Sequence, residues 1–273
     1  MVLRTGSTVS NVVATLPIPR PWPEQTVRRV DQDVDRVWRT AVRTALNDLA
    51  DQWVLSARSI RSGTHQAFVI FEITRHDLLP PRQTDGLQIP KRLPRDMRMF
   101  LGTSPQIDTT HGLIKRLASE LRPQDGQSAW QTVETIYDTV RSKVQYVEGP
   151  IRSASAALKD GFGDCEDMTS LFVALCRNLR IPARMVWIPG HCYPEFCLYD
   201  PDGEPHWYPC QAAGTRQFGE MRERRPVIQK GDQFRVPESK APVRYLAETF
   251  TCQVRGKSNP SPSFVMAEVN LVE

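Results

Sequence analysis

At 273 residues the chain exceeds a typical single domain and falls short of three, so two packed units with ample core are expected. Its 35 basic and 31 acidic residues leave a net charge of only +4, with no basic stripe interleaved with aromatics, which argues against a nucleic-acid partner. No run approaches the roughly 20 apolar residues that a membrane span requires. Residues Met1 to Gly6 lack the apolar core of a signal peptide, so a cytoplasmic location is the default expectation, with export after processing left open.

Residues 1–102 read as a β-rich first domain. Val9, Val12, Val13 and Thr15 precede a proline cluster, Leu16 to Pro23, that suits strand edges and turns. Val27, Val30, Val34, Val37 and Ala41 recur at helical spacing, yet valine favours strands, so the sequence leaves helix and strand pair both open. Gln66 to Thr74 is the best strand of this half; Phe68 and Ile70 point one way, Val69, Phe71 and Ile73 the other, and two apolar faces predict burial between layers. His65 and His76 merely flank it. Leu79-Pro80-Pro81 through Arg95 lacks apolar periodicity and reads as a linker, which places a boundary near residue 103.

The second domain, 103–273, opens with an amphipathic helix marked by Leu113, Ile114, Leu117 and Leu121. Ser128, with Gln131 three residues on, forms a capping box that starts another, whose buried stripe is Trp130, Val133, Tyr137, Val140 and Val144. The chain then passes Tyr146 and Ser153 to Leu158 and reaches a turn marked by Gly161 and Gly163. After it, Met168, Leu171, Phe172, Leu175 and Leu179 repeat at the spacing of a buried helix. Cys165 therefore falls in a first helical turn, where unpaired N–H groups and the macrodipole favour its thiolate, the form that attacks carbonyl carbon. Asp164, Glu166 and Asp167 stabilise the helix start but oppose a negative sulfur, so Cys165 needs a cationic partner.

Six cysteines are too few for a disulfide scaffold in a chain this long, and they read as mostly reduced. No Cys-x-x-Cys pair occurs, Cys192, Cys197 and Cys210 do not make a zinc pattern, and neither metal nor cofactor is expected. Beyond Pro182, Met185 to Ile188 starts a strand, and His191 to Tyr199 with His206 to Gln211 makes a hairpin turned by Asp200-Pro201-Asp202-Gly203. His191 and His206 are the nearby candidates for the base that takes the Cys165 proton. Hairpin parity then matters. An odd loop, such as 199 to 203, puts Gln211 opposite His191 on one face, where its amide fixes the imidazole tautomer; an even loop puts Cys210 there instead. Phe264 to Leu271 reads as a last strand, and residues beyond 215 carry no assigned chemistry.

These motifs resemble the transglutaminase-like superfamily, built on a papain-like core. Its cysteine box is similar to Gly163-Asp164-Cys165 followed by a helix and Arg180-Ile181-Pro182-Ala183-Arg184, with arginine in place of the family's glycine. Its histidine box is matched by His191-Cys192-Tyr193-Pro194-Glu195-Phe196, which selects His191 over His206. Its third box is similar to Trp207-Tyr208-Pro209-Cys210-Gln211, where Gln211 stands in place of an aspartate; Asp200 and Asp202 are fallback orienters. The resemblance implies an α+β fold, helices packed on an antiparallel sheet. The segment from Leu16 to Gln25 resembles the start of the β-sandwich that precedes this core in bacterial relatives.

The expected chemistry is acyl transfer on an amide or peptide substrate. Cys165 is the nucleophile, His191 the acid and base, and Gln211 the orienter; the Cys165 N–H and Tyr146 are the oxyanion candidates. Hydrolysis of a protein or peptide is the first expectation, protein crosslinking the second and a binding scaffold without catalysis the third.

Overall fold

The computed structural model describes residues 1–45, 48–254 and 259–269. Six strands come first: β1 (Val2–Thr5), β2 (Val9–Ile18), β3 (Gln25–Val34), β4 (Arg39–Ala45), β5 (Ala50–Ile60) and β6 (Gly63–Arg75). A 3-10 turn at Met97–Leu101 leads to α1 (Gly112–Glu120), α2 (Ala129–Lys143), β7 (Gln145–Tyr146), α3 (Ala154–Asp160), β8 (Phe162–Gly163) and α4 (Cys165–Asn178). The hairpin region follows as β9 (Ala183–Ile188), β10 (His191–Tyr199), β11 (Pro205–Pro209) and β12 (Gln229–Lys230), and the chain closes with β13 (Thr249–Val254) and β14 (Ser261–Ser263).

The chain divides into two compact units. One holds Met1–Pro21, Thr26–Thr74 and the residues from Leu246 onward; the other holds Trp22–Gln25 and Arg75–Tyr245. This differs from division at 103 in two ways. The segment read as a linker belongs to the second unit, because Leu78 bridges Met221, Gln88 bridges Tyr199, and Leu87 and Leu93 are buried. The C-terminal strands return to the first unit, where β13 pairs with β2 and β14 with β1.

In the first unit, β14, β1, β6 and β3 make one sheet, while β4, β5, β2 and β13 pair antiparallel into the other. Leu3 and Ala67 from the first and Val12, Ala14, Trp53 and Leu55 from the second share one core, which is the sandwich solution for two half-apolar sheets. Val27, Val30 and Val34 lie in β3, Val37 in the turn after it and Ala41 in β4, so strand propensity outweighs the helical spacing there. Strand β6 corrects a further expectation: Phe68 and Ile70 are 41% and 47% exposed, so only the Ala67 face is covered. The last strand also differs, being Ser261–Ser263; residues 264–269 are not strand, and Asn270 and Leu271 lie outside the described residues.

In the second unit, β11, β10, β9 and β12 form an antiparallel sheet, and β7 and β8 a short parallel pair. Helix α4 lies at its centre. Leu171, Phe172, Leu175 and Cys176 are fully buried among Ile114 and Leu117 of α1, Ile136 and Val140 of α2 and Phe196 of β10. Each such aliphatic or aromatic side chain contributes about 1.5–3 kcal/mol by leaving water. The capping box at Ser128 and Gln131 forms as the sequence predicts. Trp130, at the head of that stripe, is half-buried and meets Phe218 edge-on at 4.9 Å.

Candidate functional site

Cys165 is the first residue of α4. The helix start is held by a reciprocal cap: the Asp164 carboxylate accepts from the Glu166 and Asp167 N–H groups at 2.9 and 3.0 Å, and Asp167 accepts from the Asp164 N–H at 3.3 Å and the Arg152 N–H at 2.8 Å. A Cβ at residue 163 would stand 2.6 Å from the Asp167 Cβ, so only glycine lets the chain pass this cap. Two of the three carboxylates beside the sulfur thus serve backbone N–H groups. The third, Glu166, pairs with Arg244, whose guanidinium lies 5.2 Å from the Trp187 ring and feels the charges of Asp164 and Cys165. Positive charge from a residue far downstream therefore offsets the acidic helix start.

The opposing wall is β10. Gly190, at φ +67°, closes the turn from β9 and leaves His191 first on the strand. The Pro189 carbonyl in this turn accepts from Arg225 Nη1 at 3.0 Å, and Arg225 is itself forked onto Glu223 at 3.0 and 2.6 Å. The hairpin loop is five residues, 200–204, because Tyr199 pairs with Pro205 and Leu198 with His206. Its odd parity puts Gln211 on the His191 face, but the register is displaced by two from the expected 199–203 loop, so Gln211 lies diagonally across. Its side chain spans the difference: His191 Nε2 and Gln211 Oε1 are 2.9 Å apart.

Gln211 is itself fixed. Its carbonyl accepts from the Tyr137 hydroxyl at 2.8 Å and Arg141 Nη1 at 3.0 Å, both on α2, and its N–H donates to the Gln217 carbonyl at 2.8 Å. An amide oxygen accepts only, so this contact suits the tautomer that carries its proton on Nε2. Gln211→Glu is expected to raise the His191 pKa by about one unit, because a carboxylate stabilises imidazolium where an amide does not; the imidazole NMR titration of the variant measures it, and an unmoved midpoint would refute the orienting role.

The structure brings Cys165, His191 and Gln211 together. The Cys165 thiol is lowered to about 5: the hydrogen bond from the Cys192 side chain contributes most, burial opposes it, and the hydrogen bond and charge of His191 add to the lowering. Burial pulls the His191 pKa down, but hydrogen bonds to Cys165 and Gln211 and the thiolate charge outweigh it, so the net shift is upward. Both shifts favour a thiolate beside an imidazolium. Cys192, unremarked in the sequence beyond its place in the histidine box, is the neighbour that spacing alone did not nominate.

Tyr146, on β7, is 48% exposed. It lines a cleft of about 400 Å³ with Gly190, His191, Gln211, Ala213, Gly214 and Arg225. Burial first, and then the charge on Cys165, raise its pKa, which keeps its hydroxyl a donor. His206 does not join this group; its ring pairs with Asp200 at 2.8 Å in the hairpin turn. Asp200 also accepts from the Asp202 and Glu204 N–H groups, so neither fallback carboxylate orients His191. All six cysteines are free, and among the described residues no three His, Cys, Asp or Glu side chains converge as a metal ligand set would.

Residues 115–212, which contain all three residues of this group, match the family model described as the transglutaminase-like superfamily. Among solved structures, the chain is similar to "a Putative Cysteine Protease from Cytophaga hutchinsonii", with a TM-score of 0.60 at 16% identity over 95% of this chain and 88% of that one, a likeness of fold. A "putative protease from Parabacteroides distasonis" aligns with a TM-score of 0.30 at 12% identity, over 79% of this chain and 46% of that one. No curated protein matches the sequence. The matched segment, with a cysteine opening its central helix and a histidine opening a strand packed on it, is similar to the core of the transglutaminase-like superfamily.

Proposed function

We propose that the protein is a cysteine hydrolase that cleaves an amide or peptide bond through a thioester. The observation that carries this reading is the Cys165 thiol, lowered to about 5 while in hydrogen-bond contact with a His191 whose far nitrogen is 2.9 Å from Gln211. The Cys165 thiolate attacks the carbonyl carbon. His191, as imidazolium, then gives its proton to the departing amine, and as neutral imidazole takes one from the water that attacks the thioester. The Cys165 N–H at the helix start and the Tyr146 hydroxyl serve the developing oxyanion. The name of the Cytophaga hutchinsonii protein and the family match support the same class of chemistry.

Water is favoured over a lysine amine as acceptor because the residues lining the cleft include Arg225 and no carboxylate, so nothing there attracts an ammonium group. The substrate is a protein or peptide. No described helix is long and apolar enough to cross a membrane.

The test incubates the protein with a proteome-derived peptide library in ¹⁸O-water, with and without a fluorescent primary amine. The expected result is ¹⁸O in new carboxyl groups, an acyl group trapped on Cys165 at early times, and a loss of about a thousandfold or more in Cys165→Ala. Amine incorporation outpacing ¹⁸O would establish crosslinking instead. No acylation of Cys165 by any peptide would leave the scaffold reading.

A further inference from the structure

The cleft beside the candidate site is suited to one half of a substrate. It encloses about 400 Å³, within the range of small-molecule pockets, and it meets the reacting pair at His191. On the hydrolase reading, on which this inference rests, His191 gives its proton to the departing nitrogen, so the cleft receives the amine half of the scissile bond. Gly190 and Gly214 leave it open, since a Cβ at either would meet nothing within 4 Å.

The charge on the cleft wall is Arg225. Its side chain is 40% exposed, whereas its partner Glu223 is 15% exposed and does not line the cleft. Nε and Nη2 donate to the two Glu223 oxygens at 3.0 and 2.6 Å, and Nη1 donates to the Pro189 carbonyl at 3.0 Å. These bonds fix the plane of the guanidinium and tie it to the turn that carries His191, so it meets a ligand with little rotamer freedom left to lose. Glu223 does not cancel the local charge, because Glu220 to Arg225 holds three arginines against two glutamates. A guanidinium matches a carboxylate in planar, charge-assisted hydrogen bonds, and no carboxylate of the protein lines the cleft to compete. We propose that Arg225 selects substrates whose departing amine carries a carboxylate, supplied either by the C-terminus of the released residue or by an aspartate or glutamate that follows the scissile bond.

Binding then also assists the chemistry. The Arg225 charge reaches the His191 ring and opposes its protonation. A carboxylate seated on Arg225 offsets that charge and favours the imidazolium that the departing amine needs.

The experiment digests a peptide library with the full chain, half of it with free C-termini and half amidated, and identifies each released fragment by mass spectrometry. Fragments that begin with Asp or Glu, or single residues released from free C-termini, are expected to appear about tenfold faster than neutral ones, the effect of one charge-assisted contact. Loss of the preference on amidation identifies the terminal carboxylate as the group recognised; survival identifies the acidic side chain. In Arg225→Gln the preference is expected to fall below about twofold, and in Arg225→Glu to turn toward Lys and Arg at the same position. Each preference is a ratio within one sample, so a partly folded variant scales both rates alike, and a purely structural Arg225 would not invert it. Cleavage by the wild type without the preference overturns the proposal and spares the hydrolase reading. Where no bond is cut, the hydrolase reading falls, and retention of the same library on immobilised Cys165→Ala decides for Arg225. Selective retention of carboxylate-bearing peptides, lost in Cys165→Ala with Arg225→Gln, keeps it as their binding residue; retention indifferent to the carboxylate overturns it.

Discussion

Replacing Asp232 with alanine is expected to cost the second unit about 3–5 kcal/mol, a large part of the roughly 5–15 kcal/mol that holds a typical domain folded. Asp232 lies in the turn after β12 and pairs with Arg177 of α4, their side chains 3% and 1% exposed. Arg177 Nη2 donates to both carboxylate oxygens at 2.9 and 2.8 Å, and the rest of the guanidinium donates to the carbonyls of Ala183 and Gly102. Asp232 also accepts from the Ser104 hydroxyl at 2.6 Å. The ion pair taken whole adds little over an apolar pair of the same size, since desolvating both charges offsets their attraction. Breaking it is different, because the guanidinium stays buried with its counter-ion gone. Asp232→Asn keeps one acceptor oxygen in place and is expected to lose less. Urea titration read through alkylation of Cys176, which is fully buried in this unit, isolates the relevant transition. A loss below about 1 kcal/mol would sink the argument by showing that the site relaxes around the orphaned charge.

That contact also marks what the sequence did not disclose. Gly231-Asp232 reads locally as a turn and nothing more, and its partner is 55 residues upstream. Glu166 with Arg244, and Lys230 with Glu24 and Glu195, are likewise pairs of buried or half-buried charges from distant segments. No periodicity announces such partners. The local signals carried much further. The glycine turn and the apolar spacing after it located α4 and put Cys165 at its start, and the hairpin read from His191 to Tyr199 put His191 at the head of β10. Parity of the hairpin was legible, while its register was not, because Asp200 caps the N–H groups of both Asp202 and Glu204 and lengthens the loop to five residues, 200–204. In the first unit, the exposed Phe68 and Ile70 defeat a reading that equates apolar with buried. The return of β13 and β14 to that unit is set by pairing across the whole chain, which no local pattern encodes.

His191→Ala is expected to raise the pH midpoint of Cys165 alkylation by about 1–3 units from its starting value near 5. The variant removes a hydrogen bond to the sulfur and the imidazolium charge together, and either loss disfavours the thiolate. The midpoint is not expected to return fully to the ordinary value of about 8.5, because the Cys192 hydrogen bond, the largest cause of the lowering, stays in place. It is also the right quantity to measure. A thiolate of lower pKa is the weaker nucleophile, so a rate at one pH mixes the fraction ionised with the reactivity of each thiolate, and the two partly cancel. In the wild type, thiolate and imidazolium coexist from about pH 5 up to the His191 pKa, which its hydrogen bonds to Cys165 and Gln211 hold above that of an ordinary histidine. Turnover that needs both is therefore expected to rise through the lower limit and fall through the upper one. Alanine at 191 leaves no imidazolium to protonate the departing amine, so the upper limb disappears along with the activity. A midpoint indifferent to His191 would mean that Cys192 and the helix start alone acidify the sulfur; Cys165 would then be a reactive thiol without a proton donor, and amide cleavage would lose its chemical basis.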